Sequence, residues 1–142
     1  SSSIAAVLQP AGLDISTGVM TATYRKDPDD PKWANDAGVK MYRAFMEKYM
    51  PGADLADSNY FTGIHQGVIL ETVLKQCGND LSRENILKQT RNIKGLVLPM
   101  SLPGIVVNTG PNNNKMYTQL NLQRWNGKAW DLVGGLIDDD AK

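Results

Sequence analysis

The sequence predicts an α/β fold from two contrasting patterns and one turn signal. Residues 57–78 form the longest uninterrupted apolar helical pattern, whereas apolar and polar residues alternate along 116–123 as they do in a half-buried strand. Asn126-Gly127 then predicts a tight hairpin turn into a second strand at 129–133. With 142 residues, of which 42% are hydrophobic, the chain is long enough to bury a core.

The composition bears on partners and location. Lys plus Arg and Asp plus Glu both number 15, so no net charge attracts nucleic acid, and we expect no nucleic-acid partner. No apolar run reaches the roughly 18 residues of a membrane helix, and no signal peptide is recognisable. The chain starts at Ser1 without a methionine, which we interpret as the interior of a longer protein. The lone Cys77 excludes an internal disulfide and is expected in the core.

The first predicted elements are a short helix, a strand and a connector. Ser3 is a candidate cap for a helix that ends near Pro10. Residues 18–24 have the composition of a strand. Residues 25–31 contain two prolines and three aspartates, which neither a helix nor a central strand accommodates. This connector lacks the alternating oxygen ligands and the glycine of a calcium loop, so we predict no metal site there.

Two further helices are predicted from capping residues and periodicity. The helix capped by Asp36 is expected to bury residues that recur three or four positions apart. These are Val39, Tyr42, Phe45, Met46 and Tyr49. The helix capped by Ser82 is expected to turn three residues inward, namely Ile86, Leu87 and Thr90. The runs 96–100 and 105–107 are strand-like, but the pattern does not require both to be strands.

The longest apolar helix is the element around which the others are expected to pack. Ser58 or Asn59 is a candidate cap at its start, and Gly78 can end it in a left-handed conformation. A helix this apolar is expected to be largely buried. Gly63 and Gly67 lie one turn apart on one face and predict that another backbone approaches closely there.

The alternating strand near the C-terminus is predicted to bury its apolar face and to expose its polar face. The residues of the apolar face are Met116, Thr118, Leu120 and Leu122. Trp125 and Trp130 flank the hairpin turn and are expected to cover an edge of the sheet.

His65 is the only histidine, and it lies in the second turn of the long helix. Hydrolytic triads and zinc sites need further partner residues, and the sequence shows neither those sets nor a phosphate-binding glycine loop. We therefore predict no enzyme activity, no metal and no cofactor. Two interpretations of His65 stay open: a histidine whose nitrogens are satisfied within the fold, or a donor to a bound ligand. Nearby aromatic residues, two glycines and the helix N-terminus support the second.

An ordered series of segments resembles a known family across nearly all of the chain. These segments are GVMTATY at 18–24, the Asp-Pro connector, YRAFMEKY at 42–49, LKQCG at 74–78, LSREN at 81–85 and LPGI at 102–105. Together they resemble the C-terminal part of the leucine/isoleucine/valine-binding type of periplasmic solute-binding protein, the receptor of ABC importers. That family has a type I periplasmic binding fold, in which two α/β lobes joined by three crossing strands enclose a ligand.

The resemblance implies a division of the chain between the two lobes. Residues 1–17 would belong to the second lobe, 18–31 to a hinge crossing and its connector, and 32–107 to the first lobe. Residues 108–142 would form a return crossing and the second-lobe hairpin. The implied hinge residues are Met20, Thr21, Ala22, Leu120 and Asn121. The chain would thus be a fragment of a two-lobed protein, with hinge strands and a C-terminal β-hairpin.

The resemblance also implies a ligand site at the start of the long helix. Amino-acid-binding members often place a tyrosine there, and the register puts Ile64 at that position. Tyr60 or His65 could replace the lost hydroxyl, and Phe61 adds an aromatic wall. These four residues are the predicted ligand contacts. The implied ligand is a small amino acid or a hydrophobic or aromatic carboxylate.

The implied function is ligand capture for import, without any bond being made or broken. The expected partners are the small-molecule ligand and the ABC permease subunits, and the expected location is the periplasm. A ligand-sensing receptor or regulatory domain of the same fold is the alternative. Because a fragment leaves apolar faces uncovered, we expect the chain to pack against the N-terminal half of the same protein or to form a self-associated dimer.

Overall fold

The structure, a computed structural model, describes residues 4–139 and has the predicted mixed α/β fold. It begins with a π-helical segment, Ile4–Leu8, that continues into the short helix α1, Gln9–Ala11. The following elements are β1 (Met20–Thr23), a 3-10 turn (Pro31–Trp33), α2 (Ala37–Tyr49), α3 (Ser58–Cys77), α4 (Arg83–Thr90), β2 (Gln119–Trp125) and β3 (Trp130–Asp138). The predicted cap Ser3 lies outside the described residues.

Side-chain caps start the three longer helices, α2, α3 and α4. Asp36 accepts hydrogen bonds from the amides of Gly38 and Val39 at the start of α2, and Ser82 accepts one from Asn85 at the start of α4. Both caps confirm the predictions, because each satisfies an amide that has no partner within its helix.

The start of α3 differs from the prediction by one residue. Its cap is Asp57, whose carboxylate accepts a hydrogen bond from the amide of Asn59, and neither Ser58 nor Asn59 is the cap. A charged carboxylate at this position also interacts favourably with the positive end of the helix dipole. Gly78 follows the last residue of α3 with a positive φ of 59°, but its ψ of −127° differs from the left-handed helical conformation that was predicted.

One antiparallel sheet in the order β1-β2-β3 contains all three strands of the described chain. The predicted hairpin is confirmed: Trp125 pairs with Trp130, and Gly127 in the turn has a φ of 95°. The strand-like runs at 96–100 and 105–107 do not become strands and meet only in an isolated bridge between Leu96 and Val107.

The predicted faces of β2 are reversed in the structure. Asn121, Gln123 and Trp125 are buried, whereas Leu120 and Leu122 on the other face are only half-buried. The other two residues of the predicted buried face lie before the strand; Thr118 is half-buried and Met116 is exposed. Because side chains alternate along a strand, burying the large Trp125 ring turns its polar neighbours inward as well.

The tryptophans of the hairpin belong to a core instead of covering a sheet edge. Trp125 and Trp130 are 1% and 3% exposed and pack with Ile4 and Leu8 from the N-terminal segment. The Trp125 indole N–H also donates a hydrogen bond to the carbonyl of Leu13 at 2.8 Å. The N-terminal segment and the C-terminal hairpin therefore form one packed unit.

The helices form two other clusters of buried residues, but several predicted core positions are exposed. Val39, Tyr42 and Met46 of α2 are buried as predicted, and so is Cys77 of α3. Other residues predicted to be buried lie on the surface of α2, α3 and α4; these are Phe45, Tyr49, Leu70, Leu74 and Leu87. The prediction that α3 is largely buried is therefore wrong for the side that carries Leu70 and Leu74.

Candidate functional site

The four predicted ligand contacts lie on two different faces of α3. Phe61 and His65 are one turn apart and buried, and they point towards the segments that flank β1 and β2. Tyr60 and Ile64 are also one turn apart, but they line a groove between α2 and α3. We call these the strand face and the groove face of α3. The structure thus brings the four residues together in pairs and does not join them in one wall.

His65 on the strand face uses both of its ring nitrogens within the chain. Its Nε2 accepts a hydrogen bond from the Met100 amide at 3.2 Å, and its Nδ1 lies 3.0 Å from the Tyr117 hydroxyl. Because an amide N–H can only donate, Nε2 carries no proton, and the neutral ring donates from Nδ1 to Tyr117. Burial, and then the positive charge of Arg25, lower the pKa of His65 to about 4. This geometry corresponds to the first interpretation, a histidine satisfied within the fold.

The side chain of Tyr117 links α3 to the segments that flank β1 and β2. Its ring stacks on that of Tyr24 with centroids 4.1 Å apart. Tyr24 directly follows β1, and Tyr117 lies two residues before β2. Burial, and then Tyr24, raise the pKa of Tyr117 to about 12, so its hydroxyl stays protonated. Through these two rings, the start of α3 packs against the segments that flank the paired strands β1 and β2.

Arg25 is a member of this site that the sequence analysis missed. Its guanidinium carbon lies 4.5 Å from the centroid of the Phe61 ring and 5.6 Å from that of Tyr24. Its Nη1 donates a hydrogen bond to the Thr62 hydroxyl at 3.2 Å. The available signal was a basic residue next to an aromatic one directly after a strand, but the contacts with α3 could not be read from it.

The predicted hinge residues lie on the neighbouring strands β1 and β2. Met20, Thr21 and Ala22 belong to β1, which pairs with β2 so that Thr23 lies opposite Asn121. Leu120 precedes Asn121 in β2 and pairs with Ile137 of β3, next to a bulge in β3. The role of these residues as a hinge stays a prediction.

The groove face is open and apolar. The groove between α2 and α3 has a volume of about 470 Å³, and Met41, Phe45, Tyr60 and Ile64 are among the side chains that line it. Gly63 and Gly67 also line the groove, yet a Cβ atom on either would meet no atom within 4 Å. The predicted close approach of another backbone is therefore wrong for the described part of this chain.

Residues 4–139 contain neither a metal-binding cluster nor a membrane-spanning helix. That range contains no group of three or more His, Cys, Asp or Glu side chains that could hold a metal ion. Its helices are all too short or too polar to cross a membrane.

Comparisons with known proteins identify the fold. No protein-family model matches the chain, and no curated protein sequence matches it. Among solved structures, it is similar to the crystal structure of a branched-chain amino acid ABC transporter from Thermus thermophilus with bound valine, with a TM-score of 0.69 and 14% identity. The match covers 89% of this chain and 35% of that protein, so this chain spans about a third of its length. The chain therefore has the mixed α/β fold of the matched part of that protein, with a C-terminal antiparallel β-hairpin.

Proposed function

We propose that this chain forms the C-terminal part of the extracytoplasmic solute-binding component of an ABC importer. The observation that carries the proposal is the structural similarity to a branched-chain amino acid ABC transporter protein that holds valine. The proposed ligand is a small amino acid or a hydrophobic or aromatic carboxylate. The protein captures it in the periplasm and delivers it to the permease subunits without chemical change.

The packing of the chain supports a division into two lobes. The buried cluster of the N-terminal segment and the hairpin belongs to the proposed second lobe, whereas the two other clusters lie within α2, α3 and the segments after them. The paired strands β1 and β2 run between these units and are the proposed hinge crossings. A ligand that contacts both lobes would stabilise the closed form by its difference in affinity for the two states.

We place the ligand near the start of α3, at the residues predicted from the sequence. Phe61 offers an apolar ring there, and His65 orients Tyr117, because both histidine nitrogens already have partners. Tyr60 and Ile64 remain proposed contacts from the adjoining face. The part of the groove around Gly63 and Gly67 is the proposed packing surface for the N-terminal half of the same protein or, for this chain alone, for a second copy.

A binding experiment on the full-length protein tests this function. Thermal unfolding would be followed with and without L-leucine, L-valine and sodium benzoate, because a ligand that binds only the folded state raises the melting temperature. We expect a saturable rise with the amino acids or with the aromatic acid. A protein whose melting temperature responds to none of these compounds would contradict the proposal. Stimulation of the permease ATPase by the loaded protein separates an importer component from a sensor of the same fold.

A further inference from the structure

We propose that a cavity between α3, α4 and the segment 109–116 binds a small organic anion with an apolar body. The cavity has a volume of about 290 Å³. It is separate from the proposed ligand cleft, because none of the predicted ligand contacts and none of the predicted hinge residues lines it. Three features of the cavity point to such a ligand: an apolar floor, an unbalanced positive charge and free hydrogen-bond donors at the rim.

The floor of the cavity is apolar and belongs to the core. Ile69 of α3 and Ile93, which follows α4, are buried members of one hydrophobic cluster. Leu87 of α4 and Met116 also line the cavity, but both are exposed. A bound apolar group would rest on a floor that is already packed, and it would remove part of two large exposed side chains from water.

The rim of the cavity carries positive charge that no carboxylate balances. Arg91 lines the cavity and makes no ion pair with any carboxylate of residues 4–139. Lys94 lies close by, because its Nζ donates a hydrogen bond at 2.8 Å to the carbonyl of Thr109, which is a lining residue. Within the described chain, no Asp or Glu lines the cavity. An anion at this rim would therefore find a positive potential without an acidic neighbour to oppose it.

The charged and amide side chains at the rim have hydrogen-bond donors to spare. Among residues 4–139, neither the guanidinium of Arg91 nor the side-chain amide of Asn114 has a hydrogen-bond partner. The two threonines of the cavity differ, since the Thr90 and Thr109 hydroxyls already donate to backbone carbonyls at 2.8 and 2.6 Å. A guanidinium can donate two parallel hydrogen bonds to an anionic head group, and an amide can donate another. The free donors therefore lie where the positive charge lies.

The size of the cavity and the exposure of Arg91 define the ligand class. A volume of about 290 Å³ is near the lower end of the range of roughly 300 to 1,000 Å³ for ligand sites, so the apolar body must be small. The head group must be an anion that accepts hydrogen bonds, such as a sulfonate. Because Arg91 is exposed, its contribution is modest, and we expect a dissociation constant of the order of 0.1 to 1 mM.

A titration of the full-length protein with sodium naphthalene-2-sulfonate tests the site, and naphthalene-2-sulfonamide is the neutral analogue. We expect the sulfonate to bind about 3- to 10-fold more tightly than the sulfonamide, since only the anion gains from the charges of Arg91 and Lys94. In spectra of the protein with ¹³C-labelled methionine methyl groups, the signal of Met116 should shift during the titration, because Met116 lines the cavity. The variant Met116→Leu identifies that signal by its loss.

Leu87→Glu and Leu87→Gln form a matched pair that tests the charge of the rim. Position 87 lies four residues before Arg91, so a glutamate there can form an ion pair with Arg91, whereas a glutamine of similar size cannot. Both variants lose the same apolar side chain, which is exposed in the wild type. We expect Leu87→Gln to weaken sulfonate binding about 2- to 3-fold and Leu87→Glu to weaken it about 10-fold or more. Arg91→Met should weaken it about 3- to 10-fold and should remove the preference for the sulfonate over the sulfonamide.

Arg83→Met is the control for the loss of one positive charge, because Arg83 is exposed in the first turn of α4 and does not line the cavity. It should change the affinity for the sulfonate by less than about twofold. Equal binding of the sulfonate and the sulfonamide by the wild type would overturn the anion site, and so would a sulfonate titration that leaves the Met116 signal in place. Equal binding of the sulfonate by Leu87→Glu and Leu87→Gln would overturn it as well. All these results leave the proposed function intact, because its ligand contacts are other residues.

Discussion

The two faces of α3 differ in what lies opposite them. On the strand face, His65 and Phe61 are 2% and 4% exposed, and both nitrogens of His65 have partners. On the groove face, Gly63 and Gly67 face open space. On the strand face, segments distant in sequence supply the contacts of Phe61 and His65. The groove face is apolar without being covered, so an apolar helix is not by itself evidence of burial on all sides.

The largest expected effect on stability comes from truncating a buried side chain of α3. Truncating an exposed side chain of the same helix is its control. Phe61→Ala should lower the free energy of unfolding by about 3 to 5 kcal/mol, because it removes a buried ring that packs edge-on against Tyr42. Leu70→Ala should change it by no more than about 0.5 kcal/mol, since Leu70 is 58% exposed. Urea unfolding measures both. Similar losses for the two variants would mean that the exposed side of α3 is covered in solution.

The buried state of His65 predicts a pH dependence of the strand face. Its pKa is about 4 in the folded protein and 6.5 in the unfolded chain, so between these values the unfolded chain binds a proton that the folded protein does not. Stability should therefore fall as the pH is lowered from about 6.5 to 4, by roughly 2 to 3 kcal/mol from this group. Protonating Nε2 would also oppose its hydrogen bond from the Met100 amide.

His65→Gln is the control for this effect, because an amide side chain also combines an acceptor with a donor but does not titrate. Unfolding free energies of the two proteins would be compared at pH 7, 6, 5 and about 4.5. If His65 causes the loss of stability, the difference in unfolding free energy between the two proteins should become smaller as the pH falls. Parallel curves would assign the pH dependence of stability to groups other than His65.

Local geometry was predictable from the sequence, because its causes lie within a few residues. The caps Asp36 and Ser82 act on amides two or three positions away, and Asn126-Gly127 forms a turn between adjacent strands. Which face of β2 is buried was not predictable in the same way. That choice depends on Trp125 packing against the N-terminal segment, from the opposite end of the chain.

The candidate site was predictable only in part for the same reason. The sequence analysis singled out His65 because it is the single histidine. In the structure its ring contacts Tyr117, next to the start of β2. Its partners Met100 and Tyr117 are 35 and 52 residues away, and no local pattern marks them. The contact between Arg25 and Phe61 likewise joins two distant segments. Periodicity indicates which residues share a face, but it does not indicate what meets that face.

The smallest predicted effect is a change in the free energy of unfolding caused by a substitution on the groove face. The sign of this change depends on whether another segment covers the groove. In the dilute 142-residue chain, Gly67→Ala should raise the free energy of unfolding by about 0.5 to 1 kcal/mol, because alanine favours the helix and its Cβ meets no atom. Gly38→Ala in α2 is the contrasting control and should be destabilising, since its Cβ would overlap the carbonyl oxygen of Pro99. In the full-length protein we expect Gly67→Ala to be destabilising too, because the N-terminal half would then fill the groove. A stabilising Gly67→Ala in both proteins would show that this face stays open, and the proposed packing surface would have to be abandoned.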